Sequence, residues 1–335
     1  MEQRTRDPRL EATMHLEAVC YEHAAALIQE TPWHVSRHLE SLVAAHTAAA
    51  RRYAARALVA GIDVYNLEAE ALGATVNAPT GPAVPSIQSH PCDSVEALTA
   101  LSPVEVVRGR LALTIEAAQT LRRTLPGMAV RIPVAGPFAL AAGLMGMQAL
   151  IMETITEPAR VVAALHRLLP VVGPWFERIR REGFDAVVFE SGAAPPMLSP
   201  TLFAQVVQPA LHAWLQALAS TSHRPPTLII GGDVARVAEH LESLPAAALI
   251  APAETDQTVF VQRLTSRTDI ALRINMSAGV FSGNDPAAVE RELQRVAAIA
   301  AAVPTHRRSR ITLGTGVLGY DADPALVDHA RACLA

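Results

Sequence analysis

A (β/α)8 TIM barrel with an N-terminal helical extension is the fold this sequence predicts, on three observations. Short apolar runs with β-branched residues recur along the chain, Ala-rich helical stretches separate most of them, and no linker divides the 335 residues. Strand followed by helix, repeated, implies parallel strands with crossover helices. Seven or eight such units in roughly 280 residues suit a closed barrel better than a short open sheet. A doubly wound open sheet is the weaker alternative, because no GxGxxG turn and no GxxxxGK[ST] loop follows any strand. One domain over residues 1–335 is expected.

Residues 1–55 read as the helical extension. Apolar residues fall at helical spacing over 16–28, and Thr31-Pro32 is a turn and helix start. An Ala-rich helix then covers 32–58. The apolar run 57–62 leads into Gly61-Ile-Asp-Val-Tyr-Asn-Leu-Glu-Ala-Glu-Ala-Leu-Gly73, where Asp63, Asn66, Glu68 and Glu70 cluster. A buried strand that ends in a functional loop and turns into a helix has this pattern. A Pro/Gly-rich loop (77–91) and helices over 94–125 follow. Including 58–62, seven strands are predicted: 58–62, 130–134, 186–189, 227–230, 248–250, 270–274 and 311–313. The helices between them cover 141–154, 159–182, 200–219, 234–244, 258–266 and 286–302.

Composition narrows the function. Half the residues are hydrophobic and 18% charged, as in a compact globular chain. A net charge of −4 gives no electrostatic case for nucleic acid. Cys20, Cys92 and Cys333 are scattered without a CxxC pair, which suits a reducing, cytoplasmic compartment. The charged N-terminus has no apolar signal region, and no run of about eighteen apolar residues predicts a membrane span.

In a barrel, the residues just after each strand share one mouth. Here they are Asp63 and Asn66, Gly136-Pro137-Phe138, Glu190 and Ser191, Gly231-Gly232-Asp233, Glu254 and Asp256, Asn275 and Ser277, and Gly314-Thr315-Gly316. Carboxylates facing one another in a low-dielectric cleft hold a proton near neutral pH or share a cation. Glu190, Asp63 and Asp233 are therefore the candidate acid/base groups. Asn66, Glu68, Phe138, Ser191, Glu254, Asn275 and Thr315 are the candidate substrate contacts. Structural readings stand beside these: a turn cap for Asp63, helix N-caps for Asn66 and Asp233, and macrodipole partners for Glu68 and Glu70. His15, His23, His34, His38 and His46 read as solvated, and His90 and His223 as loop residues, with ligand contact the lesser reading. Met145, Met147 and Met152 read as packing. No spacing demands a metal.

Four segments together resemble the uroporphyrinogen decarboxylase superfamily. They are residues 61–73, Pro133-Val-Ala-Gly-Pro-Phe-Ala-Leu-Ala141, Phe184-Asp-Ala-Val-Val-Phe-Glu-Ser191 with Leu198-Ser-Pro200, and Ile311-Thr-Leu-Gly-Thr-Gly316 with Asp323-Pro324. Glu68-Ala-Glu-Ala-Leu-Gly73 with Pro85-Ser-Ile-Gln-Ser-His-Pro91 is similar to the methylcobamide methyltransferase branch. The resemblance implies a barrel with its site at the strand C-termini. It also marks departures. The decarboxylases handle pyrrole nitrogens with an aspartate, for which Asp63 is the nearest match. Their arginine-rich N-terminal motif is absent, Arg4, Arg6 and Arg9 being too sparse. Thr315 stands where they carry a histidine, and Gly143 where they carry a tyrosine. Ile229, Gly231 and Val317 stand where thiol-directed methyltransferases bind zinc.

What this implies is methyl transfer between a corrinoid (cobalamin), carried by a separate protein, and a non-thiol partner such as tetrahydrofolate or a methylated small molecule. No corrinoid motif lies in the chain itself, and Glu190 is the expected proton carrier. The alternatives are a decarboxylase acting on a tetrapyrrole or smaller carboxylated substrate, and a non-catalytic tetrapyrrole- or corrinoid-binding barrel. A homodimer is expected.

Overall fold

The computed structural model describes residues 15–221 and 224–334. Arg4, Arg6, Arg9 and His223 lie outside the described residues. Eight strands form one parallel sheet: β1 (Leu16–Cys20), β2 (Ala57–Val59), β3 (Ala129–Ala135), β4 (Asp185–Glu190), β5 (Thr227–Ile230), β6 (Ala248–Ala251), β7 (Ala271–Asn275) and β8 (Ile311–Leu318). Their order is β1-β8-β7-β6-β5-β4-β3-β2. That is the order of a (β/α)8 barrel, with its seam between β1 and β2. A small antiparallel hairpin, Thr75–Val76 with Ile87–Ser89, lies outside the barrel.

Local chemistry sets the helix starts. Thr31, Ser94, Ser199, Asp256, Asp285 and Asp323 each accept a backbone N–H two or three residues on. Each satisfies a donor that the first helical turn leaves unpaired. Pro32, Pro200, Pro286 and Pro324 follow at the first helical position, where a missing N–H costs nothing.

The main core lies between sheet and helices. Outward strand residues such as Ile132, Val188, Leu228, Leu249, Leu272 and Leu313 are buried there with Trp175, Phe176 and Trp214. Phe176 and Trp214 meet edge to face, with ring centroids 5.5 Å apart. Burying each such side chain contributes on the order of 1.5–3 kcal/mol. Among the described residues no single helix is long and apolar enough to cross a membrane.

The N-terminal region departs from its expected helical form. Leu16–Cys20 is a strand, and the helix begins only at Glu22. Helical spacing over 16–28 is real, but pairing with β8 overrides it. Leu16 aligns with Leu313 and Cys20 with Leu318, with a register shift between Glu17 and Val19. At that shift the Val19 N–H donates to the Thr315 hydroxyl at 3.0 Å, and the hydroxyl in turn donates to the Gly316 carbonyl at 2.9 Å. Thr315 is fully buried. It stitches β1 to β8, with its hydroxyl engaged within the fold. Thr315→Val keeps the shape but orphans the Val19 N–H, and is expected to cost about 1–2 kcal/mol, read from the urea midpoint.

Candidate active site

The end of β2 carries the densest polar cluster. Asp63 is fully buried and holds a left-handed φ of 54°. Its Oδ1 accepts from Asn66 Nδ2 at 2.5 Å, and its Oδ2 from Arg110 Nη1 at 3.1 Å. Arg110 Nη2 also donates to the carbonyls of Ile62 (2.9 Å) and Asp63 (3.0 Å). The same guanidinium reaches Glu70 Oε2 at 2.8 Å, and Arg37 takes Glu70 Oε1 at 2.9 Å. Asn66 begins its helix without capping it; its amide bridges Asp63 and the Pro85 carbonyl instead.

Glu22, two residues past the end of β1, completes the cluster. Its Oε1 is buried without a partner, and the Asp63 backbone lies close enough to lower its proton affinity slightly against the effect of burial. Burial pushes Asp63 up to about 7, against the pull of Arg110, with Glu22 adding to the rise. Burial raises Glu22 as well. The Glu22 carboxylate thus favours a proton on Asp63. Tyr65 stands beside them, 38% exposed, its ring edge-on to Phe189 with centroids 5.4 Å apart. Burial raises its hydroxyl pKa, and the Glu22 and Asp63 carboxylates add to the rise. This group holds a proton near neutral pH and lies next to an exposed aromatic ring.

Glu190 lies elsewhere. Along β4, Val187 and Phe189 pack inside the barrel, while Ala186 and Val188 pack outward among the helices. Strand alternation puts Glu190 on the helix side. There Oε1 accepts from the Ala139 N–H at 2.6 Å and Oε2 from the Phe138 N–H at 3.3 Å, at the start of the helix Pro137–Met145. Burial pushes it up to about 8. A carboxyl raised in the folded state stabilises below its unfolded pKa, about 4.3, and that stability is lost as pH rises through 8. Glu190→Gln is therefore expected to lie close to the wild type at pH 5 and to unfold later than it at pH 9, by up to about 5 kcal/mol. Thermal melts at the two pH values check this.

The other candidates disperse. Glu68 is buried and accepts from the Ala135 N–H at 2.9 Å; burial pushes it up to about 7, and its Oε2 has no partner. Phe138 is core. Asp233 does not cap its helix; it accepts from Thr255 Oγ1 at 2.8 Å, and that hydroxyl takes the Ala235 N–H. Ser191 and Glu254 are exposed. Asn275 Oδ1 accepts from Arg273 Nε at 3.1 Å. His90 is tied to the Gly143 carbonyl at 2.9 Å. His46 is buried, contrary to its solvated reading, and bonds the Gly61 backbone. His23 is buried too, 2.7 Å from the Tyr53 hydroxyl.

Sequence reasoning thus missed Glu22, Arg110 and Arg37. Glu22 had a signal, an acid just past an apolar run, hidden by the helical reading of that run. The arginines had none, because they reach the site across the fold.

The positions tied to known chemistry are informative. A side chain on Gly143 would meet Ala69 Cβ at 3.0 Å and Ile87 Cδ1 at 3.1 Å, so a tyrosine there would require both neighbours to shift. Ile229, Gly231 and Val317 offer no side-chain nitrogen, oxygen or sulfur, and zinc does not fit this donor set. Among the described residues, the one His/Cys/carboxylate group whose donor atoms converge is Glu290, His329 and Cys333, between two helices near the C-terminus.

Comparison with known proteins agrees with the fold. No curated protein matches. A methyltransferase from Methanosarcina mazei superposes with a TM-score of 0.81 at 16% identity, covering 99% of this chain and 98% of that one. A GH20 β-N-acetylhexosaminidase from Streptomyces coelicolor A3(2) reaches a TM-score of only 0.40 at 10% identity, covering 96% of this chain and 64% of that one, and does not bear on function. The model for uroporphyrinogen decarboxylase (URO-D) matches residues 19–319, from within β1 to just past β8. With nearly the whole barrel inside that match, the chain belongs to the uroporphyrinogen decarboxylase (URO-D) family.

Proposed function

We propose that this chain transfers a methyl group between a corrinoid held by a separate carrier protein and a non-thiol partner, tetrahydrofolate or a methylated small molecule. The observation that carries this is the buried, proton-holding Asp63–Glu22 pair, in a barrel whose thiol-activating positions are Ile229, Gly231 and Val317. A thiol acceptor must be ionised at sulfur, which a metal does well. A nitrogen acceptor must instead lose a proton as its bond to carbon forms, and a carboxyl near 7 suits that task.

The corrinoid, when bound, supplies or accepts the methyl carbon. The chain's own part is acid/base. Ionised Asp63 takes the acceptor's N–H proton as the N–C bond forms, and in the reverse direction protonated Asp63 returns it. Arg110 and Asn66 hold the carboxylate in place, and Glu22 tunes its proton affinity. Tyr65 is the side chain a substrate stacks on or displaces to reach the pair. Tyr65, Met197 (45%) and Val317 (41%) are exposed apolar side chains on the segments after β2 and β4 and within β8, the kind of surface a large planar macrocycle would cover.

Decarboxylation is the second reading, favoured by the family itself and by an aspartate at the end of β2. Against it, Arg37 and Arg110 are already paired with Glu70 and Asp63. A polycarboxylate substrate needs free cations. The test is demethylation of methylcobalamin, free and on a carrier protein, with tetrahydrofolate or methylated amines and ethers as partners. Turnover that Asp63→Asn and Glu22→Gln abolish is expected. Release of CO2 from a carboxylated tetrapyrrole would replace this reading with the decarboxylase. Tight corrinoid binding without turnover would replace it with a binding barrel.

A further inference from the structure

The lower barrel interior is not filled by side chains. Inward positions near the strand N-termini are small: Ala57, Thr227, Ala248, Ala271 and Thr312 line a cavity of about 220 Å³. Arg131 of β3 and Arg273 of β7 line the same cavity. Each inward arginine is half-buried, while its outward neighbours Val130, Ile132, Leu272 and Ile274 are buried. The accessible surface therefore belongs to the interior.

The charges there do not balance. Burial lowers the Arg273 pKa; Tyr21 and Glu17 pull the other way, and Arg131, a like charge, adds to the lowering. Among the described residues, Arg273 spends only its Nε, on Asn275. No described side chain accepts a hydrogen bond from Arg131. Glu17 is the one carboxylate lining the cavity, and its Oε1 lies 3.4 Å from His15 Nε2 rather than in an ion pair with either arginine. Asp185 adjoins Arg131 in register, yet it is not among the lining residues and forms no ion pair with it. Two guanidiniums and one carboxylate in a low-dielectric space leave an uncompensated cation, which is costly. The cavity is roomy enough for several waters or a small ion at about 30 Å³ per water. A guanidinium fork matches a planar oxyanion in two parallel hydrogen bonds.

We infer that this cavity binds a small planar oxyanion of the formate or bicarbonate class between Arg131 and Arg273. The inference does not depend on the reaction at the mouth. Formate is the probe. The full chain is titrated at constant ionic strength, balanced with lactobionate, whose bulk exceeds the cavity, and followed by calorimetry and thermal unfolding. Expected are saturable binding of one formate per chain and a rise in Tm that lactobionate does not give. Arg131→Gln should weaken formate about tenfold or more, and Glu17→Gln, which removes the competing negative charge, should tighten it. The second variant keeps both arginines and so answers even if Arg131→Gln does not fold. Equal responses to formate and lactobionate, or no tightening in Glu17→Gln, overturn the inference. Binding that survives in Arg131→Gln unchanged would show an adventitious additive only and overturn it equally.

Discussion

Asp63→Asn is expected to lower turnover by roughly 10²–10⁴-fold, the usual worth of a positioned acid/base group. Asparagine nearly keeps the shape and still accepts one hydrogen bond, from Asn66 or Arg110, so the loss should fall on kcat rather than KM. The pH profile gives the sharper reading. Asp63 sits at about 7, so the wild-type rate should show a limb near neutrality that the variant lacks. Stability should move the other way. A carboxyl lifted from about 3.9 to 7 withdraws stability as pH rises between those values. Asp63→Asn should therefore be less sensitive to pH across that window. A surviving limb near pH 7 would move the proton to another group, with Glu22 the next to test.

Arg110→Met should be the most destabilising single change in the site. The guanidinium is buried and touches Asp63, Glu70 and two carbonyls at 2.8–3.1 Å. Removing it leaves Asp63 buried beside Glu22 with no cation in contact. Breaking such a pair costs about 3–5 kcal/mol. Glu70 is 30% exposed, so its share is small. The loss should be full at pH 8 and smaller at pH 5, where Asp63 carries its proton. Denaturant unfolding at both pH values reads it, and Asp63→Asn in the same chain should restore part of it. An equal loss at the two pH values would assign Arg110 to carbonyl bonding instead.

Much of the barrel was legible because parallel strands, buried on both faces, read as short continuous apolar runs. Seven of the eight strands announce themselves this way. β1 does not, because Leu16-Glu-Ala-Val-Cys20 runs straight into the helical spacing of the next segment and its pairing depends on a distant hydroxyl. The site was less legible. Glu190 follows a buried strand as expected, but whether it faces the barrel or the helices depends on parity, which a uniform apolar run does not mark. Asp63 and Asn66 were found because they end a strand. Arg110 comes from the first turn of a helix 47 residues further on, and no local pattern ties it to Asp63.

The pairing of β1 with β8 also governs the order of assembly on the ribosome. Among the described residues, β1 comes first along the chain and has the late strand β8 as its one ladder partner, with Leu16 aligned on Leu313. Strands β2 to β7 can find their neighbours as they emerge. β1 must wait as a free edge until nearly the whole chain has been made. An exposed edge of that kind invites pairing with other chains. The half-buried Glu17 in the middle of it, a charge pointing inward, is the type of residue that discourages such contacts until β8 arrives.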